Sequence, residues 1–418
     1  MGVGFLALSI FLTLGFGRGK VRKKQITFML WGGPKEVSLI RKWVRKFEEE
    51  NPGIKVKINH VAVQNYEQKL LIFIVGGVPP DVAWINLRTF GVAVRKGILS
   101  PLNSLVEKDG YSLTPFYPVL IKAFSYKGKL FALPIISNVD VLFYNKDLFD
   151  KAGLEYPNQN WDWGKFKEAV NKLTIVSPEG KLIQYGIYYN GDWIELIWQN
   201  EGKVLDETGT QFLFTSPKYI KANVEAIKFY FDLGIRYSPA GSREESALQY
   251  FSSGKVAILV GGSWCLFLLD KYAPNIRWGV APLPKGKKRA TKLHSVGLVI
   301  PKGARYPEEA WKLIKFLSQE EVEKDLASAG RSIPCRIKVA ERYYLHSEVA
   351  RRRDLDLKPV LESLNYAKVA ERGALYREVM EQLIQVEFEK VWLGKETVEE
   401  AFEHIKANQE NVLKGGRE

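Results

Sequence analysis

From Gln25 onward the chain alternates between two hydrophobic periods, one suited to strands and one to helices. Ile26–Trp31 is a short apolar run stopped by Gly32-Gly33-Pro34 and reads as a strand. Val37, Ile40, Val44 and Phe47 then recur at helical spacing, which predicts an amphipathic helix ended by Asn51-Pro52-Gly53. Ile54, Val56 and Ile58 alternate with lysines, the pattern of a half-buried strand. A helix through Lys69–Val75, a turn over Gly76-Gly77-Val78-Pro79-Pro80 and a strand at Asp81–Trp84 complete a βαβαβ opening.

The same grammar returns later in the chain. Val139–Tyr144, Tyr185–Tyr189 and Lys255–Val260 read as strands. Asp162 is placed to cap a helix whose apolar face is Phe166, Val170 and Leu173, and Ala310, Leu313, Ile314 and Leu317 form another helical stripe. Alternating elements of this kind predict an α/β protein with mostly parallel sheets flanked by helices. At 418 residues the chain exceeds one ordinary core, so two lobes are expected. Open parallel sheets bind ligands beyond the carboxyl ends of their strands, which directs attention to the segments after Trp31, Trp84, Tyr189 and Val260.

Charge changes this picture little. The formal net charge of +14 raises the possibility of a nucleic-acid partner. However, Lys and Arg are interleaved with Glu, as in Arg41–Glu50 and Glu308–Lys324, and the densest cluster (Lys285, Lys287, Lys288, Arg289) is a short loop between strand-like segments. That distribution describes a solvated surface, and no nucleic-acid partner is expected. The segment Gly2–Gly17 carries an apolar run, Val3, Phe5–Leu8 and Ile10–Leu12, of signal-peptide length, with small residues at Gly15 and Gly17. No basic residue precedes the run, and Arg18, Lys20, Arg22, Lys23 and Lys24 follow it, against the positive-inside tendency. Residues 1–24 are therefore expected to be a signal peptide and basic segment, and the protein to work outside the cytoplasm.

Catalytic signatures are absent from the sequence. No Gly-Lys pair is followed by Ser or Thr, and there is no GxSxG, HExxH or CxxC. Cys265 and Cys335 read as two buried thiols, and His60, His294, His346 and His404 lack partners at metal-ligand spacing, so neither metal nor cofactor is expected. The positive signal is aromatic. Among eleven Trp, four (Trp31, Trp84, Trp193 and Trp264) fall at the expected strand ends, where flat rings stack on the C–H face of a pyranose. Asn86, Arg88, Asn138, Asp140, Asn190 and Asp192 supply polar groups for hydroxyls at the same ends. A single Trp is by default a core filler, and Trp43, Trp161, Trp163, Trp278 and Trp311 are read that way.

Four stretches, taken in order, resemble the family 1 extracellular solute-binding proteins of ABC sugar importers, the maltose-binding-protein-like group. They are Phe47-Glu48-Glu49-Glu50-Asn51-Pro52-Gly53-Ile54; Pro80-Asp81-Val82 with Gly97-Ile98-Leu99; Tyr126-Lys127-Gly128-Lys129-Leu130 through Pro134 to Tyr144-Asn145-Lys146-Asp147-Leu148-Phe149; and Phe251-Ser252-Ser253-Gly254-Lys255-Val256-Ala257 through Trp264, Gly279–Pro284 and Arg331–Pro334. The resemblance implies a type II periplasmic-binding fold of two lobes, 25–138 plus 297–334 and 139–296 plus 335–418, with a carbohydrate in the cleft between them. It also implies a monomer that performs no catalysis and delivers its ligand to an ABC permease. It matches Trp264, within Gly261-Gly262-Ser263-Trp264, to a stacking position, Asn138 to a hydroxyl-binding one, and Trp193 to a segment of aromatic contacts. Arg88 stands near an acidic position of the maltodextrin pattern, and Arg331 lies in a cleft-facing motif. Two arginines raise an acidic or phosphorylated ligand, a uronate or glycerol phosphate, as the alternative to a neutral oligosaccharide. A secreted glycosidase is the alternative of another class.

Overall fold

The computed structural model describes residues 23–206, 209–237, 244–328, 332–370 and 379–415. Its strands are β1 (Lys24–Leu30), β2 (Ile54–His60), β3 (Val82–Asn86), β4 (Ser125–Tyr126), β5 (Lys129–Leu130), β6 (Ala132–Asn145), β7 (Ile175–Val176), β8 (Leu182–Tyr189), β9 (Val256–Gly262), β10 (Trp278–Pro282), β11 (Thr291–Val299) and β12 (Ala367–Lys368). Ten of them form one curled sheet in the order β2-β1-β3-β11-β6-β9-β8-β7, with β10 also on β6 and β12 on β11. The parallel pairs are β1–β2, β1–β3, β8–β9 and β11–β12. β6 and β11 run antiparallel to each other and to their other long neighbours, so the sheet is mixed.

Local chemistry explains the opening elements. The helix Pro34–Glu50 starts on a proline, which loses nothing at a first turn, and buries Val37, Ile40, Val44 and Phe47 as the spacing predicts. Trp43 joins that face, and Trp43 and Phe47 meet Phe316 of the helix Pro307–Leu317 edge-on. Asp81, just before β3, is a tie rather than a ligand group. One carboxylate oxygen accepts from the Thr27 amide at 2.8 Å and hydroxyl at 3.0 Å, and the other accepts from the amides of Arg305 and Tyr306, both at 3.0 Å.

Two elements are longer than the hydrophobic pattern predicts. The helix expected at Lys69–Val75 begins at Val63, because its first turns bury only Tyr66 and leave no apolar stripe to read. The strand expected at Val139–Tyr144 is the second half of the 14-residue β6. Pro134 and the polar pair Ser137-Asn138 mask the first half. Pro134 is accommodated opposite Gly297, where the β6–β11 register shifts, the usual place for a residue without an N–H in a ladder.

Strand β6 ties the molecule together. Ala132–Val139 pairs with β11, and Asp140–Tyr144 pairs with β9. Its alternating side chains feed two cores: Val139, Val141 and Phe143 pack into one, and Leu142 and Tyr144 into the other. Cys265 and Cys335 are buried thiols. Among the described residues no helix is long and apolar enough to cross a membrane.

A buried acid holds the segment laid across the middle of β6. Ile333 exchanges backbone hydrogen bonds with Ser137, at 2.9 and 3.2 Å. Three residues on, the Arg336 amide donates to Glu323 at 2.9 Å, while the Arg336 guanidinium donates to the Ser318 carbonyl and the Tyr111 hydroxyl and lies over Phe116. Glu323 is 1% exposed, and its second oxygen has no partner. Burial pushes its carboxyl up to about 8, against the opposing pull of the Arg336 amide and guanidinium. The folded state therefore holds this proton more tightly than the unfolded chain does. The associated stability is complete below the ordinary glutamate range and is lost as pH rises through about 8. Urea unfolding at pH 5 and pH 9 is expected to show a fall on the order of a few kcal/mol that Glu323→Gln largely removes. An unchanged pH slope in Glu323→Gln would refute the assignment.

Candidate ligand-binding site

The crossing of β6 and β11 gathers most of the polar residues that the sequence singles out. Asn138 and His294 stand opposite each other in the β6–β11 register. The Asn138 Oδ1 accepts from the Ser263 hydroxyl at 2.8 Å, which fixes the amide. Asp140, 4% exposed, lies 3.0 Å from the His294 Nε2. Asp192 caps the helix Trp193–Gln199, one oxygen accepting from the Ile194 amide, and its other oxygen takes the Lys292 ammonium at 2.7 Å. Asn190 follows β8 directly, its amide bonded to the Val260 carbonyl.

Beneath these pairs lies Glu195, wholly buried. It accepts from the Lys292 amide at 2.6 Å, and its other oxygen has no partner. Burial, reinforced by the neighbouring Asp140, raises its carboxyl well above the ordinary range. Desolvation alone would lower the Lys292 ammonium, but Asp192, Asp140 and Glu195 reverse this and raise it above an ordinary lysine. Burial also pushes Tyr230, edge-on to Tyr189, up to about 12. Within the cluster the Asp192 carboxylate meets an ammonium, Asp140 meets an imidazole, and burial disfavours ionisation of the third acid.

The tryptophans divide. Trp264 is half-buried at the end of β9 and meets the His294 ring edge-on at 4.9 Å. Trp31, also half-buried, meets Tyr66 and Trp84 edge-on in the first lobe. Trp193 is half-buried between Phe214 and Phe388. Trp84 is 1% exposed and belongs to the core, with no face left for a ligand. It points inward because β3 is covered on both sides, and all of Val82–Ile85 is buried.

Asn86 and Arg88 are likewise drawn away from the role the sequence gave them. The Asn86 side chain caps the helix Leu87–Arg95 by accepting from the Thr89 amide at 2.9 Å. The Arg88 side chain is 80% exposed and pairs with Glu67 at 2.8 Å. Arg331 lies outside the described residues, as do residues 1–22 with the apolar leader. In the basic loop, Lys287 and Lys288 pair with Glu225 and Glu201.

The sequence reading passed over Lys292, His294, Ser263 and Glu195. Two of them had a signal: in Thr291-Lys292-Leu293-His294-Ser295 the odd positions are buried and the even ones half-buried, a strand alternation with Lys292 and His294 on the open face. It also passed over a grouping at the C-terminal helices. Glu387, Glu396 and His404 bring ligand-type atoms within 4.8 Å of one another. The His404 Nδ1 is 2.9 Å from Glu396, and the Lys390 ammonium lies 2.5 Å from Glu387.

A mixed sheet shared by two halves, with half-buried aromatic rings and locked polar groups at the crossing, defines a binding protein for a small ligand. Residues 32–324 match the bacterial extracellular solute-binding proteins, and the chain belongs to that family. The arabinooligosaccharide-binding protein of Bacillus subtilis is 26% identical over 356 residues, 78% of each chain. An ABC substrate-binding protein of Listeria monocytogenes in complex with cycloalternan superposes with a TM-score of 0.78 at 28% identity, covering 94% of this chain and 99% of that one. A solute-binding protein of Thermotoga lettingae bound with α-D-tagatose gives 0.77 at 26% identity, covering 94% and 100%. The two-lobe fold is thus established.

Gly262 makes room for the Trp264 ring. A Cβ there would fall 1.9 Å from the ring carbon Cζ3, so any side chain must displace the indole. Gly262→Ala is expected to alter tryptophan fluorescence and weaken ligand binding by about tenfold or more while leaving the chain folded. Wild-type affinity in that variant would show that the ring position is irrelevant to binding.

Proposed function

We propose that the chain binds a neutral sugar or oligosaccharide between its lobes and delivers it to the membrane subunits of an ABC importer, without altering it chemically. The observation that carries this reading is the hydrogen-bonded polar cluster beside the half-buried Trp264. It offers a stacking face and fixed hydrogen-bonding groups, and its one ammonium, Lys292, is already paired with Asp192. The outward, ion-paired Arg88 removes one of the two arginines that favoured an acidic or phosphorylated ligand. The relatives that bind arabinooligosaccharide, cycloalternan and tagatose support the same class.

In this reading Asp140, Asn190, Asp192, Trp193, Gly262 and Trp264 line the second lobe's wall of the cleft, Asn138 lies at the crossing between the lobes, and Trp31 faces them from the first. The lobes divide at 138/139 and at 296/297, where β6 and β11 pass between them, and Cys335–Val339 still packs on the first lobe. Closure buries the ligand, and because the ligand contacts both walls only when the lobes meet, it favours the closed form differentially. The closed monomer is what the permease reads. Residues 1–24 act as the export signal, which places the protein outside the cytoplasm with the rest of its family.

The test is a thermal-shift screen with arabinotriose, maltotriose, cycloalternan and D-tagatose, beside glucuronate and glycerol phosphate. A sugar at ~100 times its Kd adds about 2.7 kcal/mol, and the bound sugar should be recovered intact. A shift from glucuronate or glycerol phosphate alone would overturn the neutral-ligand reading, and release of cleaved sugar would overturn the assignment as a binding protein.

A further inference from the structure

We infer that β11 supplies ligand-reading groups of the site: His294 and Lys292 contact sugar hydroxyls, and Asp140 and Asp192 are the positioning residues that hold them. This inference rests on the proposed sugar site. The two residues are two apart on one strand and so project from the same face. Their side chains keep 30% and 25% of their surface open, whereas Thr291, Leu293 and Ser295 between and beside them are buried. The carboxylates are the inner partners. Asp192 has both oxygens engaged, one by the Ile194 amide and one by Lys292. The Asp140 side chain is 5% exposed, with one oxygen 3.0 Å from His294.

Lys292 and His294 keep hydrogen-bonding capacity beyond these pairs. An ammonium has three N–H donors, and an imidazole has a second ring nitrogen. Each is also placed where a ring would lie. His294 stands between Asn138, its neighbour in the ladder, and the Trp264 ring, while Lys292 reaches Asp192 at the start of the helix that begins with Trp193. A pyranose stacked on Trp264 would bring its rim hydroxyls to the imidazole. Asp140 holds the imidazole, Asp192 the ammonium and Glu195 the Lys292 backbone amide, so both side chains are oriented before a ligand arrives, which lowers the entropy cost of binding.

The test titrates arabinotriose, maltotriose, cycloalternan and D-tagatose by calorimetry into wild type, Trp264→Ala, His294→Ala, His294→Gln and Lys292→Met, with thermal melting of each unliganded variant. Loss of about tenfold or more in affinity is expected for Trp264→Ala, His294→Ala and Lys292→Met, with partial recovery in His294→Gln, whose amide can still donate. If Trp264→Ala weakens binding while the β11 variants bind as wild type, the inference falls and the site stands. If no sugar binds wild type, or Trp264→Ala is silent, the site and the inference fall together. A variant that fails to fold is bypassed by NMR. His60, His346 and His404 are exposed, so replacing all three with Gln leaves His294 as the sole imidazole. Its ring signals must move on sugar addition; unmoved signals with sugar bound refute contact.

Discussion

Strand β6 has to satisfy its backbone on both sides of a molecule made of two halves. Every N–H and C=O along its 14 residues needs a partner, and no single neighbour runs its full length. β11 takes the first part, and β9 and β10 take the second. The exchange of partners falls at Val139 and Asp140, and the residues around it include Asn138, Asp140 and, across the ladder, His294. A point where a strand changes partners is also where polar side chains can be tolerated, because the neighbouring sheets diverge there. Architecture and site are thus consequences of one pairing problem.

Electrostatics within the crossing follow from its burial. Three acids, Asp140, Asp192 and Glu195, are gathered at the crossing, and each is met in its own way. Burial disfavours ionisation of Glu195, the Lys292 ammonium pairs with Asp192, and the His294 ring hydrogen-bonds Asp140. Each remedy costs side-chain freedom, so the groups that result are rigid. A cleft that must tell one polyhydroxylated ring from another benefits from that rigidity, since a wandering donor accepts any epimer. Glu323 shows the same physics on the other side of β6, where burial holds a carboxyl in its neutral form to brace a backbone segment.

Much of this was legible in the chain, and the omissions have physical causes. The opening strands and helices read correctly because their apolar faces repeat cleanly, as in Val37, Ile40, Val44 and Phe47. The first half of β6 was hidden by Pro134, which the bulge opposite Gly297 absorbs. At the candidate site, strand-end logic led to Trp264 and to Asn138 and Asp140, which the structure places near one another at the β6–β11 crossing. Trp84, by contrast, showed the limit of that logic, since a strand end covered on both sides turns its indole inward. Asn86 was spent on a helix cap, a use invisible without knowing where the helix starts. Lys292 and His294 were missed because isolated polar side chains on a strand look like solvent-facing decoration until the partner carboxylates are placed.

Asp81 carries one further consequence, in time rather than in space. Its carboxylate joins Thr27 near the beginning of the chain to Arg305 and Tyr306, and β3 acquires its outer neighbour only when β11 is present. The first lobe therefore cannot complete its sheet while the ribosome is still making the second. A chain whose earliest residues wait for some 280 later ones, from Thr27 to Tyr306, folds late, because distant loop closure must precede the contacts that reward it. Synthesis order and spatial order are thus opposed in this fold, and the sheet of the first lobe is closed only by a strand made after most of the second lobe.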